Sequence, residues 1–343
     1  MREGWEYKKF ENCIVKSPKL KQVKKEAYNN GSQYPIISQE EKFISGYCDD
    51  ESMVCHIDRP IVVFGDHTRV LKYIDFDFVV GADGVKVIIP IKSIDSKFLL
   101  YFLQWYNIPN LGYSRHYKLL KDVMVPIPNC TTQQTIISEL DKLNKLIQIK
   151  KEQLKDYDAL AQSIFYEMFD PVENEKGWEV KKFGDLFKLK SGDGLSSKDF
   201  KTGIYPVYGG NGISGYHNSF NMKGCYIIIG RVGVYCGNVR KVEGEFWLTD
   251  NAFRLIYKEN EQNPFFILYL LNILDLHQYA NAAAQPVISN LTLKSINVPL
   301  PPLSLQQSFA HKIEQIEQQK AAIQKTITDL ETLLAARMQY WFD

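Results

Sequence analysis

The sequence predicts an α+β protein in which two globular α/β domains are held apart by two long antiparallel coiled-coil helices, with an internal pseudo-two-fold repeat at an offset of 173 residues. Three observations support this. The chain of 343 residues is too long for one ordinary domain. Its 45% apolar and 24% charged residues are typical of globular proteins. One order of predicted elements occurs twice, which places the globular domains at 1–130 and 171–302 and the helices at 131–170 and 303–343.

A duplicated frame surrounds two dissimilar interiors. The run Gly-Trp-Glu-x-Lys-Lys-Phe occurs at Gly4–Phe10 and again at Gly177–Phe183, 173 residues later. A Lys-x-x-x-Val-Pro-x-Pro run at Lys121–Pro128 has its counterpart at Lys294–Pro301, at the same offset. Between these anchors the offset drifts, so the frames repeat while the interiors diverge.

The same predicted elements follow one another in each half. β-branched runs bounded by turn residues predict strands, a short apolar helix follows, and a strand with a proline exit precedes the long polar helix. The predicted elements are Ile61–Phe64, Val85–Ile89, Phe98–Tyr106 and Val123–Pro128 in the first half, and Cys225–Ile229, Phe253–Tyr257, Pro264–Leu274 and Ile296–Pro302 in the second.

Both long helices carry an apolar heptad seam. Thr131 with Gln134, and Ser304 with Gln307, match the capping box that opens a helix. A sustained spacing of 3.5 residues indicates a coiled coil, and the simplest partner for each helix is the other one. Lys150 and Lys320 interrupt the seam as polar insertions. The principal seam residues are Leu140, Leu143, Ile147, Leu154, Tyr157, Ile313, Ile316, Ile323, Ile327 and Leu330.

Composition and charge exclude several classes of protein. No apolar run reaches the roughly 18 residues that a membrane span needs, and the first residues lack the apolar core of a signal peptide. Six cysteines are too few for a disulfide scaffold in a chain of this length, which favours a reducing cytoplasm. The net charge of +1 neither requires nor excludes nucleic acid, so any DNA-binding face must be local.

No motif supports catalysis or a metal site. The G-x-G-x-x-G run at Gly210–Gly215 is not followed by a helical pattern, which the dinucleotide fingerprint requires. Asn263–Phe266 resembles the Asn-Pro-Pro-Phe signature of adenine methyltransferases but lacks the second proline, and it is better explained as the N-cap of a short helix, like Asp95–Phe98. The spacing of the following residues matches no zinc pattern: Cys48, Cys55, His56 and His67.

Several local segments are candidates for contact with nucleic acid. Five lysines in ten residues, without an acid among them, suit phosphate contact. Loops after the predicted strands at 61–64 and 225–229 mix hydrogen-bond donors and acceptors, as readout of base edges requires, and so do the segments before both exit strands. The lysines are Lys16, Lys19, Lys21, Lys24 and Lys25, and the other candidates are His67, Thr68, Arg69, Arg115, His116, Asn211, Arg231, Ser289 and Asn290.

The architecture and motifs together resemble one known family. The two Gly-Trp-x-x-Lys-Lys-Phe starts and the Val-Pro-x-Pro…Gln-Gln entries to both helices carry the resemblance over essentially the whole chain. The runs Phe64–Arg69 with Gly81–Gly84, Tyr205–Gly212, and Gln162–Phe165 with Met168 and Phe169 add to it. On these residues the chain resembles the specificity subunit of type I restriction–modification systems.

The resemblance implies a recognition subunit without chemistry of its own. Each globular domain would be a target recognition domain that reads one half of a split, asymmetric site in double-stranded DNA, and the helices would set the gap. Two modification subunits would dock on the helices and methylate adenine with S-adenosylmethionine, and restriction subunits would join as the motor and nuclease. ATP and magnesium are likewise expected on partners, and no cofactor or metal is expected in this chain.

Other interpretations of the sequence stay open. One is a recognition subunit or fragment of another adenine-methylating restriction system, including a methyltransferase with fused recognition domains, although no segment is left to build a cofactor fold. Another is a coiled-coil scaffold whose two heads bind something other than DNA. Association with a methyltransferase subunit would distinguish these interpretations.

Overall fold

The computed structural model describes residues 2–16, 20–31, 33–81, 84–112, 114–169, 176–258 and 262–343. The chain forms two compact units, and each unit combines segments from both halves of the sequence. Unit 1 comprises Met1–Lys151 and Lys325–Asp343, and unit 2 comprises Glu152–Gln324. Among the described residues, no helix combines the length and apolar character needed to cross a membrane.

Unit 1 contains two four-stranded sheets, one two-stranded ladder and a short helix. Its sheets have the strand orders β2-β9-β6-β7 and β4-β3-β8-β5, and β1 pairs with β10. The elements are β1 (Glu6–Lys9), β2 (Ile14–Val15), β3 (Tyr34–Ile37), β4 (Gly46–Cys48), β5 (Val54–Cys55), β6 (Ile61–Gly65), β7 (Leu71–Ile74), β8 (Phe78–Val80), β9 (Val85–Pro90), α1 (Ser96–Tyr106) and β10 (Met124–Ile127), followed by the start of the long helix α2 (Cys130–Phe169).

Unit 2 contains one six-stranded sheet of order β12-β17-β15-β16-β13-β14, and β11 pairs with β18. Its elements are β11 (Glu179–Lys182), α3 (Phe183–Leu186), β12 (Phe187–Ser191), β13 (Tyr205–Gly209), β14 (Gly212–His217), β15 (Met222–Gly230), β16 (Val239–Leu248), β17 (Ala252–Tyr257), α4 (Pro264–Ile273), α5 (Asn290–Lys294), β18 (Asn297–Leu300) and the start of the long helix α6 (Leu303–Phe342). The predicted α+β class is confirmed, and every predicted strand and short helix coincides with an observed one within a few residues.

The duplicated frame forms one two-stranded antiparallel ladder in each unit, β1 with β10 and β11 with β18. Glu6 pairs with Ile127 in the first ladder, and Glu179 pairs with Leu300 in the second. Each residue of the second pair is 173 positions after its counterpart, so the sequence repeat is also a repeat of strand register. The sheets inside the two frames differ in strand number and order, which explains why the offset drifts between the anchors.

One buried glutamine in each unit joins the frame to the short helix. The side-chain oxygen of Gln133 accepts from the backbone N–H of Asp95 at 2.8 Å, and its amide nitrogen donates to the carbonyl of Pro128 at 2.9 Å. In unit 2 Gln306 accepts from Asn263 at 3.0 Å and donates to Pro301 at 2.9 Å. Because a buried amide must satisfy its hydrogen bonds, these contacts account for the first glutamine of the duplicated Gln-Gln pair.

The predicted capping boxes are wrong, because both long helices begin before the hydroxyl residues. Asn129 caps α2 by accepting from the backbone N–H of Thr132 at 2.9 Å, which places Thr131 inside the helix. In α6 the carbonyl of Pro302 accepts from the backbone N–H of Gln306 at 3.1 Å, so Ser304 is also internal. The first helix begins at Cys130, and its predicted end, Asp170, lies outside the described residues.

The N-caps predicted for the short helices are confirmed. Asp95 accepts from the backbone N–H of Lys97 at 2.7 Å, and Asn263 accepts from that of Phe265 at 2.9 Å with Pro264 in the first turn. The side-chain oxygen of Asn263 is therefore engaged in starting α4. This local role accounts for the Asn-Pro-Phe-Phe run without a methyltransferase site.

The heptad seam is confirmed in each unit taken separately. In unit 1 the ion pairs of Glu139 with Arg337, and of Lys151 with Glu331 at 2.8 Å, show that α2 and α6 run antiparallel. In unit 2 the Lys320 ammonium lies 2.7 Å from the Asp158 carboxylate. All the predicted seam positions are buried or half-buried, namely Leu140, Leu143, Ile147, Leu154, Tyr157, Ile313, Ile316, Ile323, Ile327 and Leu330.

The far end of each long helix completes an aromatic core. Phe342, in the last turn of α6, packs against Phe98 and Phe102 of α1 with ring centroids 5.6 and 5.7 Å apart. Phe169, in the last turn of α2, packs against Phe266 of α4 at 4.8 Å. Phe169 and Phe342 are equivalent under the 173-residue repeat. The core of unit 1 is thus completed by a helix end from the second half of the sequence, and the core of unit 2 by a helix end from the first half.

Candidate nucleic-acid interface

The turn between β6 and β7 in unit 1 is held by its own side chains. The Thr68 hydroxyl donates to the carbonyl of Gln39 at 2.6 Å. Arg69 adopts a left-handed backbone conformation with φ of 62°, and its guanidinium donates to the carbonyl of Ile108 at 2.8 Å. Thr68 and Arg69 therefore support the turn, and their predicted contact with DNA stays a prediction. His67 belongs to the same turn, is half-buried, and donates its backbone N–H to the side chain of Gln39 at 3.1 Å.

His116 ties a second loop to this turn. Its side chain is fully buried, and its Nε2 accepts from the backbone N–H of Leu111 at 3.0 Å. The proton therefore lies on Nδ1, which donates to the carbonyl of Asp66 at 2.9 Å. Because the ring is enclosed and both nitrogens are engaged, His116 supports the two loops, and its predicted contact with DNA stays a prediction. The neighbouring Arg115 is exposed and available to a ligand.

The lysine-rich segment lies on the surface of the same unit. The Lys21 ammonium donates to the carbonyl of Ser52 at 3.1 Å, and Lys24 is exposed at the start of a 3₁₀ turn. Lys25 lies 2.8 Å from the Glu40 carboxylate, and this hydrogen bond lowers the pKa of Glu40. Lys16 is also exposed, whereas Lys19 lies outside the described residues.

One loop that the sequence interpretation missed joins these segments. We call Ser38–Ser45, between β3 and β4, the hub loop. The backbone carbonyl of its Gln39 accepts from the Thr68 hydroxyl, and the side-chain oxygen of Gln39 accepts from the backbone N–H of His67. The carboxylate of its Glu40 binds the ammonium of Lys25. The hub loop thus connects the lysine-rich segment to the β6–β7 turn, which the sequence analysis treats as separate candidates. No periodicity marks the hub loop, whose sequence is five polar residues followed by Phe43, Ile44 and Ser45.

Asn211 occupies a tight turn in unit 2. Gly210 and Asn211 connect β13 and β14, and a Cβ atom on Gly210 would lie 2.4 Å from the carbonyl oxygen of Val232. The glycine is therefore required by close approach of two loops. The rest of the G-x-G-x-x-G run lies in β14 without a following helix, so the dinucleotide fingerprint is absent. The Asn211 side chain is exposed at the tip.

Arg231 follows β15 and retains unused hydrogen-bonding capacity. Its guanidinium lies over the ring of Phe253 at 5.4 Å and makes one long bond to the carbonyl of Asp250, at 3.5 Å. Its buried Nε has no hydrogen-bond partner among the described residues. Such an orphaned buried donor is energetically unfavourable.

In unit 2 the segment before the exit strand β18 forms the start of α5. The Ser289 hydroxyl caps α5 by accepting from the backbone N–H of Thr292 at 3.0 Å, and Asn290 is the first residue of that helix. Ser289 therefore caps a helix, and its predicted contact with DNA stays a prediction. Two exposed residues that the sequence interpretation missed, Val234 and Tyr235, lie in the loop after Arg231.

The two units join equivalent loops in the same way. In unit 1 the backbone N–H of His116 donates to the carbonyl of Asp66 at 2.8 Å, and in unit 2 that of Ile288 donates to the carbonyl of Arg231 at 2.9 Å. Each bond connects the loop after a central strand to the segment before the exit strand. The two candidate loops of each unit are therefore brought together. Among the described residues, no cluster of His, Cys, Asp or Glu could hold a metal ion.

Comparison with known proteins identifies relatives of both halves. The profile of the type I restriction modification DNA specificity domain matches twice, at residues 2–156 and 175–332. The EcoprrI type I restriction enzyme specificity subunit of Escherichia coli is 27% identical over 168 residues, which cover 48% of this chain and 41% of that protein. The MjaIX specificity subunit of Methanocaldococcus jannaschii is 29% identical over 141 residues, which cover 34% of this chain and 33% of that protein.

A solved structure extends the likeness to the whole fold. The crystal structure of the type I restriction–modification S subunit from M. genitalium superposes with a TM-score of 0.60 at 17% identity, covering 99% of this chain and 96% of that one. The two sequence relatives, by contrast, are each matched over less than half of their length. Because the family profile matches most of the sequence in two copies, this chain belongs to the type I restriction modification DNA specificity family.

Proposed function

We propose that this chain is a sequence-reading subunit that recognises a bipartite site in double-stranded DNA, with one half-site for each globular domain. The observation that carries the proposal is the duplicated frame with unlike contents. The ladders β1–β10 and β11–β18 share one register, while the sheets that they enclose differ. A constant frame suits constant partners, and different interiors suit two different half-sites.

The residues available at the loops fit base readout. Arg115, Asn211 and Arg231 offer the side chains that form paired hydrogen bonds with guanine or adenine in the major groove. Lys21 and Lys24 are exposed and suit phosphate contact, which positions a protein without reading sequence. A local interface of this kind is compatible with a net charge of only +1.

The long helices are proposed to dock two modification subunits. Large apolar side chains are exposed on their outer faces, including Leu146 and Ile149 on α2 and Leu333 on α6. Leu160 on α2 is exposed as well and is equivalent to Leu333 under the repeat. Equivalent apolar positions on both helices suit two copies of one partner, whose burial of these side chains would stabilise the complex.

Chemistry is proposed to reside entirely in partner subunits. In this proposal S-adenosylmethionine, ATP and magnesium bind to modification and restriction subunits, and the assembled complex works in the cytoplasm. Asn263, the residue nearest to a methyltransferase motif, is used as a helix cap. The purified chain should then transfer no methyl group to DNA, and methylation by a rigorously purified single chain would contradict this part.

Mapping of methylated bases tests the proposal. The chain is co-expressed with a modification subunit of the family, and modified adenines are mapped across the host genome. We expect one asymmetric motif with two specified halves separated by a gap of fixed length. A continuous motif, or modification that is unchanged when this chain is deleted, would contradict a bipartite reader and would favour a methyltransferase with its own recognition domain or a scaffold that does not bind DNA.

A further inference from the structure

A buried ammonium group holds the hub loop in place. Lys72 on β7 is only 4% exposed, and its Nζ donates to the carbonyls of Ser38 at 3.0 Å, Lys42 at 2.6 Å and Phe43 at 3.3 Å. Burial lowers the pKa of Lys72. A buried charge is tolerated only where its hydrogen bonds are satisfied, and here three carbonyls match the three N–H groups of the ammonium.

These contacts fix the root and the tip of the loop together. Ser38 lies at the root, where its hydroxyl also bonds that of Ser45 at 2.6 Å, whereas Lys42 and Phe43 lie at the tip. The Phe43 ring contacts that of Phe76 with centroids 6.1 Å apart. Surface loops are commonly mobile, so a loop held at both ends by a buried lysine is preorganised.

The fixed tip presents acidic side chains beside the proposed DNA contacts. Glu40 is engaged with Lys25, whereas Glu41 is exposed. A carboxylate repels phosphate, so it would weaken a surface that only followed the DNA backbone. It is suited to one contact in the major groove, which is acceptance of a hydrogen bond from an exocyclic amino group, above all N4 of cytosine.

We infer that the hub loop is a base-reading element of unit 1, in which Glu41 accepts from an exocyclic amino group in the major groove and Lys72 is the positioning residue that holds the loop. The inference rests on the proposed function, because it names a contact within one half-site. The inference is supported by the position of the loop between two candidate DNA-contact segments. Glu40 accepts a hydrogen bond from Lys25 of the lysine-rich segment, and Gln39 accepts one from Thr68 of the β6–β7 turn.

The test measures base preference at every position of the site. The full chain is assembled with its modification partner and mixed with a library of duplexes that contain the parent motif with each base varied. The bound duplexes are then sequenced, which gives the base preference at each position. Glu41→Ala removes the acceptor oxygens and the charge from the loop, and Lys72→Met removes the ammonium while keeping most of the length of the side chain. Glu26→Ala is the matched control, because it makes the same change in the neighbouring 3₁₀ turn Lys25–Ala27.

We expect Glu41→Ala to reduce discrimination at one position of one half-site by about tenfold to a hundredfold, in line with a lost base contact. Lys72→Met should relax the same position, whereas a merely structural lysine would lower thermal stability and leave base preference intact. Unchanged preference in Glu41→Ala at all positions overturns the inference even if Lys72→Met fails to fold. If the parent assembly itself selects no bipartite sequence, the proposed function fails and the inference with it.

Discussion

Removal of the Phe342 ring should destabilise unit 1 selectively. Phe342 is 6% exposed and lies against Phe98, Phe102 and Trp105. Truncation of a buried phenylalanine to alanine leaves a cavity and costs about 3–5 kcal/mol. We therefore expect Phe342→Ala to lower the free energy of unfolding of unit 1 by this amount, although the residue is the penultimate one of the chain.

Native-state hydrogen exchange with peptide resolution measures the effect. Since each 1.4 kcal/mol is tenfold, protection in α1 should fall by about a hundredfold or more in Phe342→Ala, while protection in α4 stays near that of the parent. Phe169→Ala should give the opposite pattern, because that ring packs on Phe266. Leu160→Ala, an exposed position on α2, is the control and should change neither. Equal loss of protection in both units from either variant would refute assignment of each helix end to one core.

Two further predictions concern single residues. Arg231→Ala should reduce discrimination in one half-site by about tenfold to a hundredfold in competition binding without a change in melting temperature, because its guanidinium makes a long hydrogen bond to the carbonyl of Asp250, at 3.5 Å, and can pair with a base. A lower melting temperature with intact discrimination would instead show a structural arginine. Glu139→Gln should destabilise unit 1 by about 1–2 kcal/mol at pH 7, since Glu139 accepts from Arg337 and Trp341. The hydrogen bond from Arg337 holds the pKa of Glu139 below its ordinary 4.5, so this stabilisation is present above pH 4.5 and disappears as the pH falls through the lowered pKa. Urea unfolding that shows the same difference between parent and variant at pH 3 as at pH 7 would contradict this prediction.

The duplicated frame and the helix seam could be predicted because both are periodic in sequence. A register such as Glu6 with Ile127 is repeated 173 residues later, so each copy supports the interpretation of the other. The seam repeats every heptad, and an error at one position does not displace the rest. Helix starts were less predictable, because Asn129 and Pro302 supply local acceptors just before the expected capping residues.

The roles of single loop residues could not be predicted from local pattern. Arg69, His116 and Ser289 have the right chemistry for DNA, but their hydrogen bonds go to backbone groups of the protein. Which way a donor points depends on neighbours that are distant in sequence. The hub loop was missed for the same reason, since its order depends on Lys72, about 30 residues further along the chain.

The most direct test of the central claim is the gap between the two half-sites after the helices are lengthened. One heptad is inserted after Leu154 and one after Ile327, which keeps the seam in phase and adds about 10 Å of helix. The methylated motif is then mapped with the modification partner present. We predict the same two half-sites separated by about three more base pairs, at about 3.4 Å per base pair. An unchanged gap, or altered half-sites with the old gap, would show that the helices do not set the distance between two independent DNA readers.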